Sequence, residues 1–349
     1  MGVYVEVIGR IIKNDLNSVL LVNYKLQKGV SYIMPPLNIL VTNSLADRHT
    51  KAIKTAAPNS IITSCHVEEA AEHITTADIL LTWGTMNLRP LYPTAVNLKW
   101  VHALSAGVED LIFPEIISAN TLLTNSRGIH GIPISEHVLA MMLSFTRGLN
   151  VFIRQQQQKE WKRTPVVEIY DKTIGIVGLG SIGREIAKKA KGMGMHVVAS
   201  KQTMTTELFI DELYTSDQLH ELLAVSDFVV VALPLVEETK DLFTIKEFSM
   251  MKSSAYFINI ARGGVVKQDD LVTALEQGVI KGAGLDVFDQ EPLAETSPLW
   301  DMPNVIITPH LAALSPNYLD RAIKLFADNL SRFIQNKDML NIIDKEKGY

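Results

Sequence analysis

The 349-residue sequence holds a single cysteine, Cys65, which excludes an intramolecular disulfide and a thiolate metal cluster. It has no apolar stretch of membrane-spanning length; DFVVVALPLV has the size of a core strand. The start, MGVYVEVIGR, lacks the basic region and long apolar run of a signal peptide, so a soluble, cytoplasmic protein is expected. Positive charge is not in excess either. Lys and Arg number 33 against 38 Asp and Glu, and the net charge of -5 argues against nucleic acid or an anionic membrane as a main partner. Internal repeats and long linkers are absent. What is present is a globular balance, 47% hydrophobic and 20% charged, in a chain long enough for two domains that each bury a core.

Residues 3 to 34 read as two apolar strands, VYVEVIGRII and SVLLVNY, around the turn KNDLN, closed by Pro35 and Pro36. This β-hairpin extension (1–35) faintly resembles the opening strands of Nudix hydrolases. It lacks their glutamate-rich helix, so a structural role is expected. From residue 38 strands and helices alternate. LNILVTN, SIITS, DILLTWG, LKWVHAL and TLLTNS are strands, with ADRHTKAIKTAAP and VEEAAEHITTA as helices, an α/β pattern with a largely parallel sheet. PISEHVLAMMLSFTRGLNVFIRQQQQKEW reads as one long helix whose QQQQ is a solvated face. A second βαβ series runs from KTIGIVG to VIITPH, and PNYLDRAIKLFADNLSRFIQN is the last helix.

The strand TIGIV leads into Gly178, Leu179, Gly180, Ser181, Ile182 and Gly183, a GxGxxG in register, followed by the helix REIAKKAKGMG and the strand HVVAS. In that context the first glycine permits the turn and the second lets the backbone approach a pyrophosphate. The third lets the helix pack on the strand, and the helix N-terminus faces the phosphate charge. A dinucleotide cofactor is therefore expected. In NAD sites an Asp or Glu at the end of the second strand accepts from the ribose hydroxyls. Here Ser200 and Lys201 stand in that place, and no acid appears until Glu207. A carboxylate repels a 2′-phosphate and a lysine holds one, which favours NADP(H), with NAD(H) the alternative.

Three segments sit at the carboxyl ends of expected strands, where open α/β sheets place ligands: YFINIARGG with Arg262, GLDVFDQEPL with Glu291, and VIITPHLAA with His310. They supply a guanidinium, a carboxylate and an imidazole, which are the groups that reduction of a 2-oxo acid requires. A bidentate cation holds the carboxylate and carbonyl. A proton donor serves the developing alkoxide, and a carboxylate beside the imidazole favours its proton-bearing form. His66, Glu69 and His73 fall at ligand spacing on one helix face, but no fourth ligand accompanies them, so no metal site is expected. His130, in NSRGIHG, is a candidate group behind the pocket.

Over about residues 37 to 345 the chain resembles the D-isomer-specific 2-hydroxyacid dehydrogenases. The resemblance is carried by SAGVEDL, NSRGIHGIPISEHVLAMML, IVGLGSIGREIAKKAKGMGM, LPLVEETKDLF, INIARGGVVKQDDLVTAL, GAGLDVFDQEPL and PNVIITPH. It implies two Rossmann-like doubly wound domains with a cleft between them. The substrate domain would be 36–133 with 313–349, and the dinucleotide-binding domain 134–312. It implies that Arg262 binds substrate, Glu291 tunes the acid and His310 transfers the proton. The amides of Ser105, Ala106 and Gly107 would hold the substrate carboxylate, with Trp83 and Gly84 limiting substrate size. Asp286 would hold the nicotinamide amide beside Ile260 and Ala261. Leu233, Pro234 and Thr239 would line the adenosine and phosphate side. The methionine-rich face of the long helix would carry a homodimer contact. The expected activity is hydride transfer between NADPH, or NADH, and a small 2-oxo acid such as glyoxylate or hydroxypyruvate, giving the D-2-hydroxy acid. Two alternatives stand beside it. One is 3-phosphoglycerate dehydrogenase, disfavoured by a chain that ends soon after the returning helix. The other is a corepressor-like nucleotide-sensing protein, which turnover would exclude.

Overall fold

The computed structural model describes residues 36–348, so the hairpin expected over 3–34 lies outside the described residues. The apolar runs become short strands: β1 (Asn38–Val41), β2 (Ile61–Ser64), β3 (Ile79–Thr82), β4 (Trp100–Ala103), β5 (Leu122–Asn125) and β6 (Thr173–Val177). They continue as β7 (His196–Ser200), β8 (Glu212–Tyr214), β9 (Phe228–Val231), β10 (Tyr256–Asn259), β11 (Gly282–Leu285) and β12 (Val305–Ile307). Continuous apolar text such as FVVV in β9 is buried at every residue, as strands covered on both sheet faces are.

The strands form two all-parallel sheets. One has the order β2-β1-β3-β4-β5, the other β12-β11-β10-β9-β6-β7-β8. The fold is thus the expected pair of doubly wound α/β sheets. In each, the strand order reverses at one point, between β1 and β3 in the first sheet and between β6 and β9 in the second. Crevices outside the carboxyl ends of strands at such points are where this architecture takes ligands. The GxGxxG follows β6, and Trp83 and Gly84 follow β3.

Two helical expectations are corrected. The long helix is two, Gly131–Thr146 and Leu149–Gln157, because Gly148 between them adopts φ 68°, a left-handed conformation that glycine adopts at little cost. Its two methionines are interior: Met141 and Met142 belong to the core cluster under the second sheet, so the methionine face is not free for a partner. The large apolar side chains left exposed on these helices are Ile132, Leu149 and Ile153. Likewise VEEAAEHITTA is not one α-helix but the short turns Val67–Glu69, Ala70–His73 and Ile74–Thr76.

The last helix, Tyr318–Ile334, returns the chain to the first sheet. Tyr318, Ala322, Ile323, Phe326 and Leu330 share a buried cluster with Ile39, Val41, Ile79 and Trp100. Phe326 stacks on the Trp100 ring at 5.0 Å and 25°. The indole Nε1–H of Trp100 donates to Thr124 Oγ1 at 2.8 Å, and buried His102 lies 2.7 Å from the same hydroxyl. The first sheet therefore depends on a helix from the far end of the chain. Phe326→Ala should lower unfolding free energy by about 3–5 kcal/mol, the usual cost of emptying a large aromatic site. Urea unfolding reads this, and a loss below about 1 kcal/mol would mean that the returning helix contributes little to the first core.

Candidate functional site

The glycine cradle after β6 has a separate cause at each glycine. Gly178 adopts φ 102°, and a Cβ there would stand 2.7 Å from the Ala232 carbonyl oxygen and 2.9 Å from Leu233 Cδ2. Gly183 is the close-packing glycine: a Cβ would press on the Gly178 carbonyl and lie 3.2 Å from Ile176 Cγ2. Gly180 caps the helix Ser181–Gly192 and faces open space, with no atom within 4 Å of its Cβ position. That opening beside a helix N-terminus suits a pyrophosphate, so the residues fit the dinucleotide that the motif predicts. Leu179 is buried, its N–H donating to Ser200 O at 3.1 Å, while Ser181 and Ile182 begin the helix. Leu233 covers Gly178, and Pro234 is exposed beside it. Thr239 closes that loop, its hydroxyl donating to Pro234 O at 2.7 Å and accepting from Val236 N–H at 2.9 Å.

At the end of β7 the local text misses a partner. Ser200 is buried, at 5% exposure, and its neighbour Lys201 donates through Nζ to Glu207 Oε1 at 2.6 Å and to Thr205 Oγ1 at 2.8 Å. Arg184, the residue after the third glycine, grips the same carboxylate with Nε to Oε2 at 2.8 Å and Nη2 to Oε1 at 2.7 Å. Glu207 is held well below the ordinary carboxylate range, first by Arg184 and then by Lys201. The acid that seemed missing thus folds back onto the lysine. Arg184 was readable as a cation at the mouth of the cradle, but its meeting with Lys201 depends on the loop between β7 and β8.

The groups of the second sheet's other strand ends converge on one carboxylate. Asp286, buried after β11, accepts through Oδ1 from Thr308 Oγ1 at 2.6 Å and Leu311 N–H at 3.0 Å, and through Oδ2 from Ala312 N–H at 3.0 Å. His137 Nε2 approaches Thr308 Oγ1 at 3.0 Å from the helix behind. His310 has φ 50°, rare for a residue with a Cβ, and its N–H donates to Asp286 O at 2.9 Å. Held so, His310 Nδ1 lies 2.7 Å from Glu291 Oε2, while Glu291 Oε1 accepts from Phe288 N–H at 3.0 Å. The His310–Glu291 pair is open to solvent, the imidazole half exposed. After β10, Asn259 braces the next turn: Oδ1 accepts from Ala261 N–H at 3.0 Å and Nδ2 donates to Arg262 O at 3.1 Å. Ile260 and Ala261 are buried there, and Arg262 Nη1 donates to Ala261 O at 2.8 Å.

The first sheet meets Arg262 through the loop after β4. Ser105 Oγ donates to Gly107 O at 2.7 Å and accepts from Gly84 N–H at 2.9 Å, and Ala106 O accepts from Asn125 Nδ2 at 2.6 Å. Arg262 Nη2 lies 3.1 Å from the Cβ position of Gly107 and 3.6 Å from Glu109 Oε1. Trp83 Nε1 donates to Asn43 Oδ1 at 3.3 Å, and the Trp83 ring lies 5.5 Å from that of Tyr318. His130 is buried behind them, its Nε2 2.8 Å from Tyr318 Oη, which donates to Leu104 O at 2.9 Å. Tyr318, from the returning helix, is the pocket-side residue that local motif reading passes over. Among the described residues no group of three or more His, Cys, Asp or Glu converges as a metal site requires, and Glu69 instead accepts from His66 N–H.

A doubly wound fold with a glycine cradle, an Arg, and a His–carboxylate pair at adjacent strand ends defines a nicotinamide-dinucleotide oxidoreductase. Comparison with known proteins narrows the class. Residues 139–312 match the family described as D-isomer specific 2-hydroxyacid dehydrogenase, NAD binding domain. Glyoxylate reductase of Pyrococcus horikoshii is 33% identical over 267 residues, 74% of this chain and 80% of that one. D-3-phosphoglycerate dehydrogenase of Methanocaldococcus jannaschii is 28% identical over 312 residues, 88% of this chain but only 59% of the relative's length. Among solved structures, a D-isomer specific 2-hydroxyacid dehydrogenase family protein of Aeromonas salmonicida is 34% identical with a TM-score of 0.81, covering 88% of this chain and 99% of that one. An NADPH-dependent glyoxylate/hydroxypyruvate reductase of Sinorhizobium meliloti, in complex with NADP and sulfate, is 28% identical with a TM-score of 0.76, covering 90% and 100%. The chain belongs to the D-isomer specific 2-hydroxyacid dehydrogenase family and is an NAD(P)-dependent oxidoreductase.

Burial pushes His130 down to about 4, with the nearby Arg262 charge adding to it, and burial alone pushes His102 down to about 3. The unfolded chain therefore takes up protons below about pH 6.5 that the folded chain refuses. Stability is full above that pH and falls as pH drops toward 4, by about 1.4 kcal/mol per pH unit for each histidine. Replacing His130 with Gln should remove about one proton from this slope. Urea unfolding of both proteins between pH 6.5 and 4.5 tests it, and parallel curves would mean that His130 titrates in the folded state.

Proposed function

We propose that the protein reduces small 2-oxo acids of the glyoxylate and hydroxypyruvate kind with NADPH, giving the D-2-hydroxy acid. The observation that carries this reading is the convergence of Arg262 with the 105–107 loop, beside a His310–Glu291 pair 2.7 Å apart. Residues 36–133 with 313–349 act as the substrate lobe and 134–312 as the cofactor lobe. The bound nicotinamide supplies the hydride. Arg262 holds the carboxylate–carbonyl unit through its planar fork, and the Ser105, Ala106 and Gly107 amides receive the carboxylate. With Nδ1 committed to Glu291, His310 delivers the proton from Nε2 to the developing alkoxide. Trp83 and Gly84 bound the small side of the pocket. Asp286 receives the nicotinamide amide with Ile260 and Ala261 alongside, and Leu233, Pro234 and Thr239 border the adenosine and phosphate side.

Glu109, 3.6 Å from Arg262 but mostly exposed, adds only a weak, solvent-screened bias against a second anionic group such as that of 3-phosphoglycerate. Ser200 and Lys201 mark the 2′-phosphate end of the cofactor. A homodimer is part of the same reading, through apolar side chains such as Leu149 and Ile153 rather than the buried methionines.

The reaction is tested by kcat/KM for glyoxylate, hydroxypyruvate and 3-phosphohydroxypyruvate with each cofactor. His310→Ala should cost about 10²–10⁴-fold in kcat while cofactor still binds. Arg262→Lys should lose most of kcat/KM even for glyoxylate, since an ammonium has no planar two-point contact. Near-normal turnover in either variant would remove that residue from the mechanism. The cofactor reading has its own measurement. Lys201→Asp should weaken NADPH by about tenfold or more and improve NADH, the loss of one charge-assisted contact. A wild type that already prefers NADH would sink it.

A further inference from the structure

Glu207 lies on the loop that joins β7 to β8, yet its side chain is only 9% exposed, and four donor groups from Lys201, Arg184 and Thr205 reach its carboxylate. Oε1 accepts from Lys201 Nζ at 2.6 Å, Arg184 Nη2 at 2.7 Å and Thr205 Oγ1 at 2.9 Å, and Oε2 accepts from Arg184 Nε at 2.8 Å. The loop that carries it is pinned at both ends. Lys201 N–H donates to Tyr214 O at 3.1 Å, and Asp211 accepts from Val197 N–H at 2.8 Å. A guanidinium presented edge-on, an ammonium and a hydroxyl around one anionic group are what a phosphate monoester asks for. They stand at the end of the second strand, beside the cradle helix whose fourth residue is Arg184.

We propose that Arg184 and Lys201 form a two-cation clamp for the cofactor 2′-phosphate, and that Glu207 is its built-in occupant, a carboxylate that the 2′-phosphate displaces. The inference rests on the NADPH reading above and adds a specificity-determining residue to it. The contrary role, in which Glu207 accepts from the ribose hydroxyls of NAD(H), conflicts with its contacts. Oε1 already takes three donors, more than its two lone pairs, and Oε2 takes Arg184 Nε, so a ribose diol finds at most one free acceptor site, on Oε2. Glu207 also stays ionised, since Arg184 and Lys201 hold its carboxyl far below the ordinary range. It therefore competes as a full charge. A dianionic phosphate gains more from the same two cations than a monoanionic carboxylate, which gives displacement its direction. The exchange costs part of the phosphate affinity, so Glu207 narrows the preference for NADPH over NADH.

Calorimetric titration of the full chain with adenosine 2′,5′-bisphosphate and with 5′-AMP tests this without turnover. Glu207→Gln should tighten the bisphosphate about tenfold and change 5′-AMP by less than about twofold. Glu207→Ala should give the same direction. No gain in either variant, with unfolding midpoints near wild type, overturns the proposal. A Glu207→Gln protein that loses affinity for NADH overturns it in favour of the ribose-acceptor role. Should both variants fail to fold, Arg184→Met decides: it should weaken the bisphosphate about tenfold and spare 5′-AMP, and an equal effect on both removes the clamp. The two readings can fail separately. A wild type that prefers NADH while Glu207→Gln still gains bisphosphate affinity discards the NADPH reading and leaves the displaced carboxylate standing.

Discussion

The turn that carries His310 depends on one buried carboxylate. Asp286 follows β11 with almost no exposure, and such a charge is stable inside a protein only when donors surround it. Its donors are Thr308, Leu311 and Ala312, all on the turn after β12. Satisfying Asp286 therefore dictates the path of that turn, and the path forces His310 into φ 50°. A residue in that region costs free energy unless its surroundings over-determine it, and here the backbone N–H on each side of the bend has an assigned acceptor. The imidazole is thereby delivered to Glu291 by backbone geometry rather than by packing, which explains how a half-exposed side chain keeps a fixed partner.

Arg262 is positioned by different means than His310. Arg262 is aimed by the Asn259 brace behind it and by its own bond to Ala261 O, and its free end reaches the loop after β4. That loop belongs to the first sheet, which is covered by the helix at the end of the chain. Tyr318 joins these layers, touching the Trp83 and His130 rings and bonding Leu104 O. The surroundings of Arg262 are thus an assembly of segments far apart in sequence. Changes in the returning helix reach it through Tyr318 and His130.

This separation sets what a reader of the sequence can see. The strands were legible because β9 is unbroken apolar text and β10 is apolar up to Asn259, and the cradle was legible because three glycines carry three distinct steric demands within a few residues. Arg262, Glu291 and His310 were legible as chemical types at strand ends. Three things were not. The break in the long helix turns on Gly148, which in the text is one glycine within an apolar periodic run, and tertiary packing decides whether it bends. The family resemblance assigned a dimer contact to the methionine face and did not foresee that Met141 and Met142 are covered by the core under the second sheet. Glu207 escaped because a rule about the last residue of a strand says nothing of a side chain returning from a loop.

The last of these has a physical logic that recurs in the molecule. A site for anionic ligands needs cations, and unpaired cations close together repel one another and must stay hydrated. In this chain both cation sites touch a carboxylate of their own: Lys201 and Arg184 touch Glu207, and Arg262 faces Glu109. The two pairings differ in strength. Glu207 is largely enclosed, with short bonds to every donor, whereas Glu109 is mostly exposed and stands 3.6 Å from its partner, a distance at which solvent screens most of the interaction. A ligand therefore meets little opposition at Arg262 and considerable opposition at Lys201. On the proposed reading, a small acid at Arg262 meets little competition from Glu109. On the same reading, a ligand at Lys201 and Arg184 has to bring more charge than Glu207 already supplies.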